Sequence, residues 1–221
     1  MKRELLMAMG VFVLLCGLGG GAGYALQSSA KVKPETIQSS VTRTPQLLDR
    51  AWALPAAAAF GRELRSQTNA SFCGPASLAN VFRSLGEPAT TEATVLEGTG
   101  KCLAGMCLMG LTLDDLAEVA RAKTSRPVTV LRGLTPEAFR EHLLKSNDPS
   151  RRYVVNFTRK NIFGGGGGHH SPIGGYLEAE DMVFVLDVNS DYGPWLVKRQ
   201  RLFDAIDTLD GEQKRGLLQI E

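Results

Sequence analysis

Histidine is scarce in this chain. Among 221 residues there are three, His142, His169 and His170, and cysteine numbers four. Excess charge of either sign is also lacking: 25 Lys and Arg stand against 23 Asp and Glu, a formal net charge of +2, spread along the chain. Without a basic block there is nothing to hold a phosphate backbone, so nucleic acid is not expected as a partner. Internal repeats and disorder-prone tracts are not indicated. Long apolar runs are confined to the first thirty residues, and the 43% hydrophobic content is enough for one core of ordinary size.

Residues 1–30 differ in kind from the rest. Met1-Lys2-Arg3 is a basic start, and Leu5 to Leu18 is an apolar run interrupted only by glycine. The glycine-rich stretch Gly19 to Gly23 leads to Ser28-Ser29-Ala30, whose small residues suit signal peptidase. The run is short beside the roughly 20 residues of a membrane helix, although extension through Leu26 reaches that length. Residues 1–30 are therefore expected to be a signal peptide, with an uncleaved membrane anchor as the alternative. The protein is expected to be exported, periplasmic or held at the extracytoplasmic face of a membrane. Lipid attachment at Cys16 is not expected, because Leu15 stands where lipoprotein signals carry a small residue.

The other cysteines divide by position. Cys102 and Cys107 lie five apart in Gly-Lys-Cys-Leu-Ala-Gly-Met-Cys. In an exported protein this pair can close a small disulfide loop; in the cytosol it would be two buried thiols. Metal ligation ranks third, since two thiolates need two further ligands and no nearby His or Cys supplies them. Cys73 stands alone.

Around Cys73 the chain reads Gln67-Thr-Asn-Ala-Ser-Phe-Cys73-Gly-Pro-Ala-Ser-Leu-Ala-Asn-Val-Phe-Arg-Ser-Leu85-Gly86. Leu78, Val81, Phe82 and Leu85 recur at i, i+3, i+4 and i+7, the stripe of an amphipathic helix that Gly86 closes. Cys73 thus opens a helix, where the dipole favours a thiolate, and Gly74 withholds a side chain from the sulfur's neighbourhood. Gln67 is close enough in sequence to aim an amide donor at an oxyanion formed beside that sulfur.

Residues 31–60, with Pro34, Pro45 and Pro55, read as a linker passing into a packed N-terminal arm, and 61–221 as the catalytic domain. Within the latter, 87–109 suggest loops with a helical turn, Thr112 caps a helix and Pro127 to Leu131 is a strand. Thr135 starts another helix, in which His142 lies on a charged, solvated face. Tyr153 to Phe157 and Met182 to Val188 read as strands, joined through Gly164 to Gly168, a strand from His169 to Leu177 and a polar turn at 178–181. A short helix at Leu202 to Leu209 and a strand at Gly216 to Ile220 follow. Helices first and antiparallel strands afterwards describe an α+β domain.

A cysteine nucleophile needs a base, and the base needs an orienting group. His169 or His170 can be the base, with Asp187 across the hairpin to fix the imidazole. An even loop sets Asp187 opposite Pro172 and on the face of His170. An odd loop or a bulge sets it on the face of His169. Spacing leaves both open.

Gly168-His169-His170-Ser171-Pro172-Ile173-Gly174-Gly175-Tyr176, followed by Leu186-Asp187-Val188, resembles the phytochelatin synthases, papain-like glutathione γ-glutamylcysteinyltransferases. The likeness runs from about Gln67 to Gly216. It implies a papain-like fold, with a helical lobe carrying the nucleophile and an antiparallel sheet carrying His and Asp. By the same resemblance Cys73 is the nucleophile, His169 the catalytic histidine, Asp187 its orienting partner and Gln67 the oxyanion-hole residue. Substrate contacts fall on Asn156 and Arg159, and on Asp210 and Arg215. The implied reaction cleaves the Cys–Gly bond of glutathione through a γ-glutamylcysteinyl thioester, which passes to water or to a second glutathione. No cofactor or protein-bound metal is required, though a heavy-metal ion such as cadmium can enter as a glutathione thiolate complex. The cysteine-rich C-terminal region of larger members has no counterpart, so their metal sensing is not expected here; the short members resembled are described chiefly as glutathione hydrolases. Glutathione is the expected partner, membrane contact is confined to the N-terminal segment, and a homodimer stays open. Two rivals remain: a double-glycine leader peptidase, which also opens with Gln-x5-Cys-Gly-Pro-Ala, and a non-catalytic thiol or metal-binding module.

Overall fold

The computed structural model describes residues 31–221 apart from 103, 104 and 109; the leader expectations, Cys16 included, fall outside the described residues. Proline starts the first three helices: α1 (Pro34–Ser40), α2 (Pro45–Trp52) and α3 (Pro55–Phe60). The missing N–H costs nothing in a first turn and the fixed φ suits it, so prolines that read as linker punctuation mark helix starts. Residues 31–60 are built into the domain. Ala51, Ala57 and Phe60 join the core that contains Leu78 and Phe82, and Ile37 enters a second one.

Helix α4 (Cys73–Leu85) ends at Gly86 in the left-handed conformation, φ 73°. Thr91 and Thr94 form a capping box on α5 (Glu92–Leu96), and Thr112 and Asp115 another on α6 (Leu113–Arg121). Strand β1 (Val128–Arg132) and helix α7 (Pro136–Lys145), capped by Thr135, follow. Beyond them lie β2 (Arg152–Thr158), α8 (Arg159–Phe163), β3 (Gly168–Leu177), β4 (Met182–Leu186), β5 (Pro194–Lys198) and α9 (Arg199–Ile206). The chain closes with β6 (Leu209–Asp210), β7 (Gln213–Lys214) and β8 (Gly216–Ile220). Strands β1-β8-β2-β3-β4-β5 form one sheet in that order, every pairing antiparallel.

The sheet divides two cores by strand alternation. Val154, Phe184, Leu186 and Leu218 face α4 with Leu78, Val81 and Phe82. Val155, Val183, Val185 and Leu217 face the other way, with Phe139 and Leu143 of α7 and Leu202 and Ala205 of α9. Three local expectations are corrected. The last helix ends at Ile206 rather than Leu209. Strand β5 and helix α8 were not anticipated; Trp195, Leu196 and Val197 are all buried, so β5 has no polar alternation to announce it. His142 is half-buried beside Tyr153, its Nδ1 3.3 Å from the phenol oxygen, and burial lowers its pKa.

The β3–β4 hairpin resolves the parity question. Leu177 pairs with Met182 and Gly175 with Phe184, as a four-residue turn requires, but Ile173 pairs with Val185. Gly174 is the extra residue of a bulge, and a Cβ there would come within 2.7 Å of the Phe184 ring. Continued past β4, the shifted register brings Asp187 level with Ser171, on the face of His169.

Candidate active site

Cys73 is the first residue of α4, and no side chain caps this helix, which leaves its first-turn N–H groups free to act on the sulfur. Gly74 serves packing more than the sulfur: a Cβ would meet Leu116 at 3.0 Å and Leu111 at 3.5 Å. Cys73 is buried and packs with Ala76 and Val188, the residue after Asp187. The Gln67 N–H donates to the Val188 carbonyl at 2.8 Å, tying the loop before α4 to the segment after β4. Gln67 Nε2 donates to the Asn69 carbonyl at 2.7 Å, which holds the side-chain amide in the loop that leads to Cys73.

His169 and Asp187 are paired, Nε2 to Oδ1 at 2.9 Å, with His169 2% exposed and the Asp187 side chain fully enclosed. This bond places the proton on Nε2 and leaves Nδ1 for another partner. Asp187 Oδ1 also accepts from the Asn189 N–H at 2.9 Å, and Oδ2 from Trp195 Nε1 at 3.2 Å. Burial would raise this carboxyl's pKa, but the charges of His169 and Arg159 and these bonds carry it far below the usual carboxylate range.

His170 also reaches the Cys73 sulfur, its Nδ1 lying 3.8 Å from Sγ. His170 projects from the α4 face of the sheet, the face of Asn156. Burial disfavours the thiolate, yet the charge and hydrogen bonding of His169, and after them of His170, set the thiol well below its ordinary pKa. Burial and the Arg159 charge oppose protonation of His169; Asp187 and the Cys73 sulfur outweigh them and raise it. Both shifts favour the thiolate–imidazolium pair over the neutral one.

Beside this group opens a cleft of about 370 Å³ lined by Cys73, His170, Gly168 and Ser71, with Asp210 and Arg215 also on its wall. Arg215 Nη1 donates to Asn156 Oδ1 at 2.8 Å, Arg215 Nη2 meets Asp210 Oδ1 at 3.0 Å, and Asn156 Nδ2 donates to Asp210 Oδ2 at 2.8 Å. Three of the four expected substrate contacts are thus one closed polar cluster. The fourth stands elsewhere. Arg159 pairs with Asp187 and stacks on the Tyr192 ring at 3.8 Å, behind the imidazole rather than on the cleft. Cys102 and Cys107 are joined as a disulfide, which removes both from any metal-ligand set, and Cys107 lines the cleft.

His170 and Trp195 are functional residues that the sequence does not single out: the resemblance favours the neighbouring His169, and β5 carries no strand signal of its own. The histidine pair was itself the signal for the first: consecutive strand residues point to opposite faces, so one of them had to face α4.

A profile of the phytochelatin synthase family matches residues 27–217. Glutathione gamma-glutamylcysteinyltransferase 3 of Lotus japonicus is 28% identical over 158 residues, 66% of this chain and 33% of the relative. Glutathione gamma-glutamylcysteinyltransferase 2 of Arabidopsis thaliana is 28% identical over 174 residues, 71% of this chain and 37% of the relative. The chain thus spans about a third of the length of these relatives. Among solved structures, a C39-like peptidase from Bacillus anthracis superposes with a TM-score of 0.54 at 14% identity, covering 73% of this chain and 95% of that one. The peptidase domain of Streptococcus ComA gives 0.50 at 16% identity, covering 72% and 96%. These likenesses establish the papain-like cysteine peptidase fold.

Proposed function

The chain belongs to the phytochelatin synthase family, and from that premise we propose that its cleft binds glutathione and transfers the γ-glutamylcysteinyl group through a thioester on Cys73. One observation carries the reading: a thiol at an uncapped helix start, beside an enclosed imidazole–carboxylate pair, opens on the same cleft as the Asp210–Arg215 pair. A γ-glutamyl group ends in an α-ammonium and an α-carboxylate. The guanidinium fork of Arg215 matches the carboxylate, and Asp210 matches the ammonium.

The Cys73 thiolate attacks the Cys–Gly carbonyl carbon, and the oxyanion is held by the Cys73 backbone N–H and the second amide hydrogen of Gln67. The C–N bond breaks as His169 passes its Nδ1 proton to the departing glycine amine, leaving the S–C thioester. Neutral His169 then takes a proton from water or from the amine of a second glutathione, which attacks the thioester and frees Cys73. Water yields γ-glutamylcysteine; glutathione yields a short phytochelatin. Cadmium enters as a thiolate complex of the substrate. Action outside the cytoplasm fits both the apolar N-terminal run and the Cys102–Cys107 disulfide, since such bonds persist in oxidising compartments.

The test is incubation of the purified protein with glutathione, with and without cadmium, and identification of products by mass. Glycine release that vanishes in Cys73→Ala supports the reading. Cleavage of Gly-Gly leader peptides with glutathione left intact would replace it by the peptidase alternative.

A further inference from the structure

The mechanism so far uses one imidazole, and the thiol has two. His170 Nδ1 stands 3.8 Å from Sγ, the ring is 2% exposed, and its Nε2 is enclosed with no hydrogen-bond partner among the described residues. The backbone holds it there: Ser77, one turn along the helix that Cys73 begins, donates from Oγ to the His170 carbonyl at 3.0 Å. Thiol and imidazole are thus fixed to the same helix turn.

The tautomer follows from this placement. A proton on Nε2 would leave a buried donor unpaired and turn the Nδ1 lone pair toward an anionic sulfur, two unfavourable terms together. A proton on Nδ1 points at the sulfur and leaves only a lone pair unpartnered. We infer that His170 is a second hydrogen-bond donor to the Cys73 sulfur, through Nδ1–H, and that it assists departure of the thiolate when the thioester breaks. In that step the acceptor's oxygen or nitrogen bonds to the acyl carbon, the S–C bond breaks, and its electron pair returns to Sγ. The Nδ1–H bond strengthens as that charge forms. His169, meanwhile, is occupied in taking the acceptor's proton. The deacylation role rests on the glutathione reading; the sulfur contact does not.

Alkylation of Cys73 by iodoacetamide reads the thiolate without any glutathione, so failure of glutathione turnover leaves this measurement intact. The charged groups bearing on the sulfur and its partners are His169 of β3, Asp187 beyond β4, Arg159 of α8, Asp210 of β6 and Arg215 before β8, and all are retained in the variants. His170→Phe keeps the ring shape without a donor; His170→Asn keeps an amide near the Nδ1 position. At pH 6 the first should alkylate about tenfold more slowly than the parent, equivalent to one pKa unit, and the second within about threefold. All should converge above pH 9. With glutathione, His170→Phe should accumulate acyl-enzyme, visible by mass as Cys73 carrying γ-glutamylcysteine. A folded His170→Phe with parental alkylation at pH 6, or His170→Asn as slow as His170→Phe, would make the imidazole mere packing. Should His170→Phe not fold, nitrogen-15 imidazole spectra of the parent decide the matter: an Nδ1–H signature for His170 supports the donor, and an Nε2–H signature overturns it.

Discussion

Arg159 and His169 meet on one oxygen of Asp187: Nη2 of the first lies 3.0 Å from Oδ1 and Nε2 of the second 2.9 Å. The Arg159 side chain is 11% exposed and Asp187 is enclosed, so water has little room to replace a lost partner. Arg159→Ala should destabilise the fold by about 2 kcal/mol, the usual worth of one hydrogen bond to a buried charge, since Asp187 keeps His169, Asn189 and Trp195, or on the order of 4–8 °C in Tm for a domain of this size. Arg159 also opposes protonation of His169 by its charge, so its removal should move the alkaline limb of activity to higher pH. Arg159→Lys, which keeps the charge but loses the planar fork, should fall between. A raised KM with an unmoved alkaline limb and unchanged Tm would instead make Arg159 a substrate contact.

The pH dependence has a definite sign. Cys73 ionises below the ordinary thiol range and His169 stays protonated above the ordinary histidine value of about 6.5. Glycine release should therefore hold a plateau through neutrality and fall on the alkaline side as His169 loses its proton. Stability should follow Asp187 at the acid end. Its folded pKa lies below its unfolded value of about 3.9, so its contribution is full above that value and is lost as pH falls below it. Denaturant midpoints at pH 3 and pH 6 should differ less in Asp187→Asn than in the parent, while glycine release in that variant drops on the order of 10²–10⁴-fold for want of the correct tautomer.

Much of this was legible because it is local. The apolar stripe from Leu78 to Leu85, the Thr112 and Thr135 caps and the β-branched runs each declare an element without reference to the rest of the chain. What was illegible is long-range. The side of the sheet on which Asp187 falls depends on one bulge residue, Gly174, and an even turn alone would have sent it to the face of His170. Arg159 follows β2 directly, yet its partner stands 28 residues further on. Three prolines show the converse: a local signal with two physical meanings, linker or helix start, decided by whether Ala51, Ala57 and Phe60 find a core to enter.

Gly168 precedes His169, and a Cβ at this position would collide with the Arg215 guanidinium. Its φ is not in the left-handed region, so alanine meets no backbone penalty there. Gly168→Ala should cost about 1–3 kcal/mol of stability, because Arg215 must leave its bonds to the buried Asn156 and to Asp210. Substrate recognition should suffer with it: KM for glutathione should rise about tenfold with kcat less affected. Equal losses in both constants would place the effect on His169 instead.

The disulfide wall of the cleft carries the last prediction. The Cys107 N–H donates to Ser71 Oγ at 3.1 Å and Asn69 Nδ2 to the Gly105 carbonyl at 3.3 Å, so the 102–107 loop is fastened to the segment that delivers Cys73. A loop of this length confers about 2 kcal/mol by restricting the unfolded chain, or on the order of 4–8 °C in Tm. The Cys102→Ser/Cys107→Ser double variant should lose that much stability. It should also raise KM more than it lowers kcat, since Cys107 lines the cleft while Cys73, His169 and Asp187 are held by α4 and the sheet. Glutathione is itself a thiol reductant, so parent protein kept at high glutathione should drift toward the kinetics of the double variant, at a rate that follows loss of the 102–107 bond in peptide maps. Identical kinetics for the oxidised parent and the double variant would remove the disulfide loop from any part in substrate binding.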